Sequence, residues 1–158
     1  MDFEIRDNVL VKYKGNAEHV VIPYGVTAIR SNAFAYCETM KSVEIPSTVT
    51  EIGEYAFSGC SSLKSVEIPG SVKLIGEGAF RQCNSLESVK IQDGVKNIFK
   101  FAFSGCVNLK NVEVPSSVWI INDYAFYLCR NLQTIYIPKD CYCHSKWNEE
   151  SPATAIRY

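Results

Sequence analysis

Seven cysteines and two histidines are the residues of this 158-residue chain whose side chains are best suited to chemistry. Thiolates and imidazoles bind soft metals, and a thiolate is also the nucleophile of redox and acyl-transfer sites. Cys141-Tyr142-Cys143-His144 brings three such side chains into four positions. Structural zinc usually takes four ligands, and no fourth stands at a sensible spacing. His19 has no partner in its own segment, and the odd cysteine count leaves one thiol unpaired in any disulfide framework. No Gly-rich phosphate loop, paired-histidine motif or Ser/His/Asp pattern stands out. The expectation is no catalytic residue, no bound cofactor and no metal.

The other five cysteines point to architecture instead. Cys37, Cys60, Cys83, Cys106 and Cys129 recur at one fixed interval. Phe34, Phe57, Phe80, Phe103 and Phe126 follow the same period, as do the alanine before each of them, the isoleucines from Ile29 to Ile121 and the valines from Val26 to Val118. Three further apolar columns admit conservative exchange, one of them running Met40, Leu63, Leu86, Leu109, Leu132. Pro23, Pro46, Pro69, Pro115 and Pro138 form a proline column that Gln92 alone interrupts. Eight apolar columns in register mean that no coil can bury its own interior, so each must stack on its neighbours. The cysteine column reads as small core hydrophobes in the free thiol form, because stacked thiols converge poorly on a metal.

Within one coil, Leu63-Lys64-Ser65-Val66-Glu67-Ile68 alternates like a half-buried strand, with Val66 and Ile68 inward. Pro69 ends it. The return segment Gly76-Glu77-Gly78-Ala79-Phe80 has the small residues of a tight helical turn, and Gly59 and Gly105 stand where a glycine would cap one. The expected fold is a β-rich α/β solenoid, with a parallel sheet on one face and short strands and helical turns on the return side. It divides into an N-terminal capping hairpin and partial coil at 1–21, five complete repeats at 22–136 and a C-terminal cap at 137–158, all one folded domain. In the last segment Asn148, Glu149 and Pro152 take the places of Ala, Phe and Cys.

The 23-residue unit, with its Ile-Pro start, central Ala-Phe and Cys-x-x-Leu-x-x-Val-x-Ile run across residues 22–138, resembles the bacterial leucine-rich repeats of BspA-like and treponemal proteins. The resemblance implies a curved, β-rich leucine-rich-repeat solenoid, in proteins commonly displayed on bacterial surfaces, several of which adhere to host or neighbouring-cell proteins. No export signal or wall anchor is visible in the sequence. A complete chain of this kind would stay in the cytoplasm, whereas a trimmed fragment would fit a surface or secreted protein.

With 16 Lys and Arg against 17 Asp and Glu, the net charge of -1 supplies no electrostatic excess for nucleic acid. No run approaches the roughly 18 apolar residues that membrane insertion needs. A protein partner is the leading expectation and a carbohydrate the alternative. Two surfaces qualify. The outward strand positions form the ladder Glu44, Glu67, Lys90, Glu113, Tyr136, in which Glu44 beside Glu67 is repulsive and Lys90 sits between Glu67 and Glu113. Phe99, Phe101 and Trp119 form the second, because Phe99 replaces Gly53 and Gly76, and Trp119 replaces Thr27, Thr50, Lys73 and Lys96. Such aromatics serve either packing between coils or a partner.

Overall fold

The alternation at Ser65-Val66-Glu67-Ile68 becomes a strand with Val66 and Ile68 buried and Ser65 and Glu67 exposed. The computed structural model describes residues 2–158, and Met1 lies outside the described residues. An antiparallel hairpin of β1 (Phe3–Arg6) and β2 (Val9–Tyr13) opens the fold. Its turn residues Asp7 and Asn8 have φ of 50° and 62°, the left-handed pair of a type I′ turn.

From there the chain alternates between two sheets. β3 (His19–Val21), β5 (Ser42–Glu44), β7 (Ser65–Ile68), β9 (Ser88–Ile91), β11 (Asn111–Glu113), β13 (Thr134–Ile137) and β15 (Thr154–Arg157) form a seven-stranded parallel sheet. The return side carries β4 (Ala28–Ile29), β6 (Glu51–Ile52), β8 (Leu74–Ile75), β10 (Asn97–Ile98), β12 (Ile120–Ile121) and β14 (Tyr142–Cys143), which the hairpin extends to eight strands. Most rungs advance by one full period, as in Val66↔Val89 and Ile98↔Ile121.

The phenylalanine column is the axis of the core. All five rings are fully buried and stack face to face, at centroid separations of 4.8 Å for Phe34–Phe57 rising to 5.4 Å for Phe80–Phe103. That spacing follows from the strands, which lie about 4.8 Å apart. Tyr13 continues the stack below Phe34 at 5.2 Å, and Trp147 meets Phe126 edge-on at 6.1 Å at the other end.

The segments around each Ala-Phe pair are not helical turns, and no helix is found among the described residues. The first and fifth residues of each segment are left-handed: Asn32 and Tyr36, Tyr55 and Gly59, Gly78 and Gln82, Phe101 and Gly105, Tyr124 and Leu128. A right-handed helix cannot pass through such residues. The backbone N–H groups divide accordingly. Those of Ala33, Ala35 and Cys37 close turns onto Arg30, Asn32 and Phe34, whereas those of Asn32, Phe34 and Tyr36 donate to Glu54, Ala56 and Ser58 of the next coil. Gly59 and Gly105 are therefore turn residues rather than helix caps.

The cysteine column fills the space beside this turn. Cys60, Cys83, Cys106 and Cys129 are buried free thiols, while Cys37 is free but half-buried on the first coil. Each buried thiol donates to the carbonyl oxygen of the phenylalanine one coil back, as from Cys60 Sγ to Phe34 at 3.2 Å and Cys106 Sγ to Phe80 at 3.1 Å. The same carbonyl accepts an N–H from its own coil, so the thiol takes its second lone pair. Burial pushes the Cys129 thiol up to about 12 and Cys37 to about 11.

Candidate functional site

The outward ladder lies on the seven-stranded sheet as the alternation requires, and Glu44, Glu67, Lys90, Glu113 and Tyr136 are all exposed. Its charges are not evenly shared. Lys90 Nζ lies 2.8 Å from Glu67 Oε1, and Gln92 Nε2 donates to the same oxygen. Those two donors hold the Glu67 carboxyl below the usual carboxylate range. Gln92, the residue that interrupts the proline column, also accepts from the Gly70 N–H and so ties two coils together. Glu44 borders the same shallow hollow as Glu67 and Gln92. Glu113 borders a second with Lys90, and stands in register with Tyr136. Ile156, exposed and paired with Tyr136, continues the ladder onto β15 and makes its C-terminal end apolar.

The three aromatics of the other candidate surface separate. Phe99 is half-buried and ends a groove over Gly53 and Gly76. A Cβ at Gly76 would stand 2.6 Å from the Ile52 carbonyl oxygen, so the glycines are needed where the coils approach closely. Phe101, also half-buried, stacks on Tyr124 at 5.1 Å, with Arg81 and Lys100 at 5.9 and 5.5 Å from its centroid. Trp119 is 61% exposed and lines a different hollow, with Ser116, Pro138, Lys139, Asp140 and Tyr158. Its indole N–H donates to Asn97 Oδ1, which fixes the ring on the surface. Tyr142, 62% exposed, lies on the next rung, its N–H donating to the Trp119 carbonyl. The sequence held a signal for this residue, since Tyr142 follows Trp119 by one full period.

Residues 4–133 match the BspA type leucine rich repeat region in six copies. The chain belongs to this family. A leucine-rich repeat protein of T. pallidum is similar at 25% identity and a TM-score of 0.80, covering 98% of this chain and 82% of that one. Another, from Eubacterium ventriosum, is 26% identical with a TM-score of 0.75 over 93% of this chain and 47% of that chain. A third, from Bacteroides ovatus, is 27% identical with a TM-score of 0.69 over 94% and 46%. The chain thus spans about half the length of the last two. No curated protein matches it.

The last rung of this BspA-type chain departs from the period. Ile120 pairs with Tyr142 and Ile121 with Cys143, an advance one position short of the full repeat. Cys143 therefore takes the isoleucine place that the period assigns to His144. His144 instead lies edge-on to Tyr142, with Nδ1 3.8 Å from Asp123 Oδ2. Cys141 keeps the buried valine place. No group of three His, Cys, Asp or Glu side chains among the described residues is placed to hold a metal ion, and no helix there is long and apolar enough to cross a membrane.

Proposed function

We propose that the chain is a non-enzymatic module that binds a protein partner through the exposed Trp119–Tyr142 pair and the hollow beside it. One observation carries this reading: two large rings stand in the solvent on neighbouring rungs, at a column filled by Thr27, Thr50, Lys73 and Lys96 elsewhere. Holding such rings in water forfeits burial worth about 1.5–3 kcal/mol for a large side chain, and partner interfaces recover it. The Asn97 hydrogen bond lowers the entropy lost on binding by presetting the indole. Phe99 and Phe101 serve packing between coils in this reading. The polar ladder from Glu44 to Tyr136 is a rim whose Lys90–Glu67 pair is already satisfied. Family membership supports interaction as the class of function and display at a bacterial surface as its setting.

Carbohydrate recognition is the second reading. The exposed Tyr136 ring beside Glu113 favours it, because it offers an apolar face next to a polar group. Trp119→Lys tests both. The variant should keep the wild-type unfolding midpoint and lose partner affinity by about thirtyfold, the effect of a hot spot near 2 kcal/mol. Partner proteins retained equally by the two forms would refute the aromatic site. Binding to purified glycans but to no protein would replace it with the carbohydrate reading.

A further inference from the structure

Two thiols lie outside the buried column, on the last rung. Cys141 is buried and Cys143 half-buried, with only Tyr142 between them, and the Cys143 thiol lies 3.9 Å from the Cys141 carbonyl oxygen. Arg157 reaches them from β15, in the opposite sheet. Its Nη1 donates to the carbonyl oxygens of Pro138, Lys139 and Cys141 at 3.2, 3.1 and 2.9 Å, and its Nη2 stands 3.5 Å from Cys143 Sγ. Three carbonyls thus aim a guanidinium at one sulfur, the arrangement that favours a thiolate. Extended residues advance about 3.3 Å each, so the Cα atoms on either side of Tyr142 lie roughly 6.6 Å from each other, near the upper limit for a disulfide, and closing the bond requires the strand to shorten slightly at Tyr142.

We propose that Cys143 and Cys141 form a peroxide-sensitive dithiol that is oxidised once per chain rather than turned over, with Cys143 the attacking sulfur and Cys141 the resolving one. The Cys143 thiolate attacks one oxygen of a hydroperoxide. An S–O bond forms as the O–O bond breaks, and the departing alkoxide or hydroxide takes a proton from water. Cys143 is left as a sulfenic acid. The sulfur of Cys141 then attacks that of Cys143. An S–S bond forms as the S–O bond breaks, and the leaving hydroxide takes the Cys141 proton and departs as water. Two thiols have lost two electrons and two protons, and one peroxide has become one alcohol or water plus one water.

The contrast with the other cysteines supports the assignment. Burial raises the thiols of Cys106 and Cys129, and hydrogen bonding together with burial raises those of Cys60 and Cys83. The hydrogen bond from Cys141 and the charge of Arg157 lower that of Cys143. The other ionisable groups of this rung are Lys139, Asp140, Tyr142 and the His144–Asp123 pair, and Tyr158 borders the same hollow as Cys141.

The test uses the full chain treated with hydrogen peroxide at pH 7, followed by tryptic mapping. The peptide at residues 140–146, which carries both cysteines, should lose two hydrogens before any column cysteine is modified. In Cys141→Ser, Cys143 should instead give a dimedone-trappable sulfenic acid. Iodoacetamide labelling of Cys143 should show a pH midpoint below the roughly 8.5 of a free thiol. Arg157→Gln should move that midpoint up and slow labelling at pH 7 by about fivefold, the effect of one pKa unit on a thiol that titrates at about 7. Native protection of Cys60, Cys83, Cys106 and Cys129 from labelling certifies that each variant is folded. An unmodified 140–146 peptide, or a Cys143→Ser variant that consumes peroxide as fast as the wild type, would overturn the proposal.

Discussion

Phe80→Ala removes the middle ring of the column. Phe80 is fully buried and lies parallel to Phe57 at 5.1 Å and 1°, and to Phe103 at 5.4 Å and 4°. Truncating a core phenylalanine costs about 3–5 kcal/mol, and two ring pairs are lost at roughly 0.5–1.5 kcal/mol each beyond their area. The backbone fastened by three hydrogen-bond ladders cannot collapse into the gap, so the cost should fall near the top of that range, about 5 kcal/mol. A domain of this kind holds about 5–15 kcal/mol in total, so the variant should lose at least about a third of its stability and show a much lower urea midpoint. Equilibrium unfolding in urea, with the slope compared between forms, measures it. Phe126→Ala, which loses one parallel neighbour and an edge contact to Trp147, should lose less. Glu67→Ala, on the exposed ladder, should move the midpoint least. A loss for Phe80→Ala below about 1.5 kcal/mol, the range of a volume-conserving core swap, would refute the reasoning.

Alkylation in denaturant without reductant should label all seven cysteines, and any mass deficit from disulfides joining the column would contradict the free-thiol assignment. Gly94→Ala should destabilise far more than Gly25→Ala. Both positions have left-handed φ, 118° and 98°, but only at Gly94 would the new Cβ meet backbone, 2.2 Å from the Gly70 oxygen, and equal unfolding midpoints would contradict that packing. The carboxyls of Glu4, Glu18, Glu67 and Glu87 are held below their ordinary value by lysine partners. Their stabilisation is therefore present above about pH 4.5 and lost as pH falls through the lowered folded-state values, so the thermal midpoint should drop there. High salt at neutral pH should reproduce part of the drop, since these pairs are exposed.

The columns were legible because a stacked core imposes the same demand at the same place in every coil. Phe80 and Ile75 face identical neighbours above and below, and the constant period exposes them. The turns were not legible in the same way. Gly78-Ala79-Phe80 suits a helical turn on composition, and what forbids one is the left-handed backbone at Gly78 and Gln82, held by N–H groups that bond to Lys100 and Ser104 of the next coil. Local propensity carries no trace of such partners. Trp147 was hidden because the last coil falls short of the full period, which moves the column's end away from Glu149. Phe99 and Trp119 both break columns, yet the side of the rung that each ring takes depends on Asn97, Gly76 and the neighbouring coil. Arg157 is remote from Cys143 in sequence, and only the pairing of β13 with β15 brings it to the opposite sheet's edge.

Strands on both sides have a further consequence. A helix on the return side would occupy about 10 Å per coil against 4.8 Å for a strand, and that mismatch wedges a stack into a bend. Here the front, the back and the phenylalanine axis share nearly one spacing, so width supplies no wedge and the stack lengthens by about 4.8 Å for each coil added. The outward columns then work as a ruler. Inserting one whole coil would carry the Trp119–Tyr142 pair one division further from the Glu67–Lys90 rungs while leaving each group's own surroundings intact, and a partner touching both would have to match the new interval.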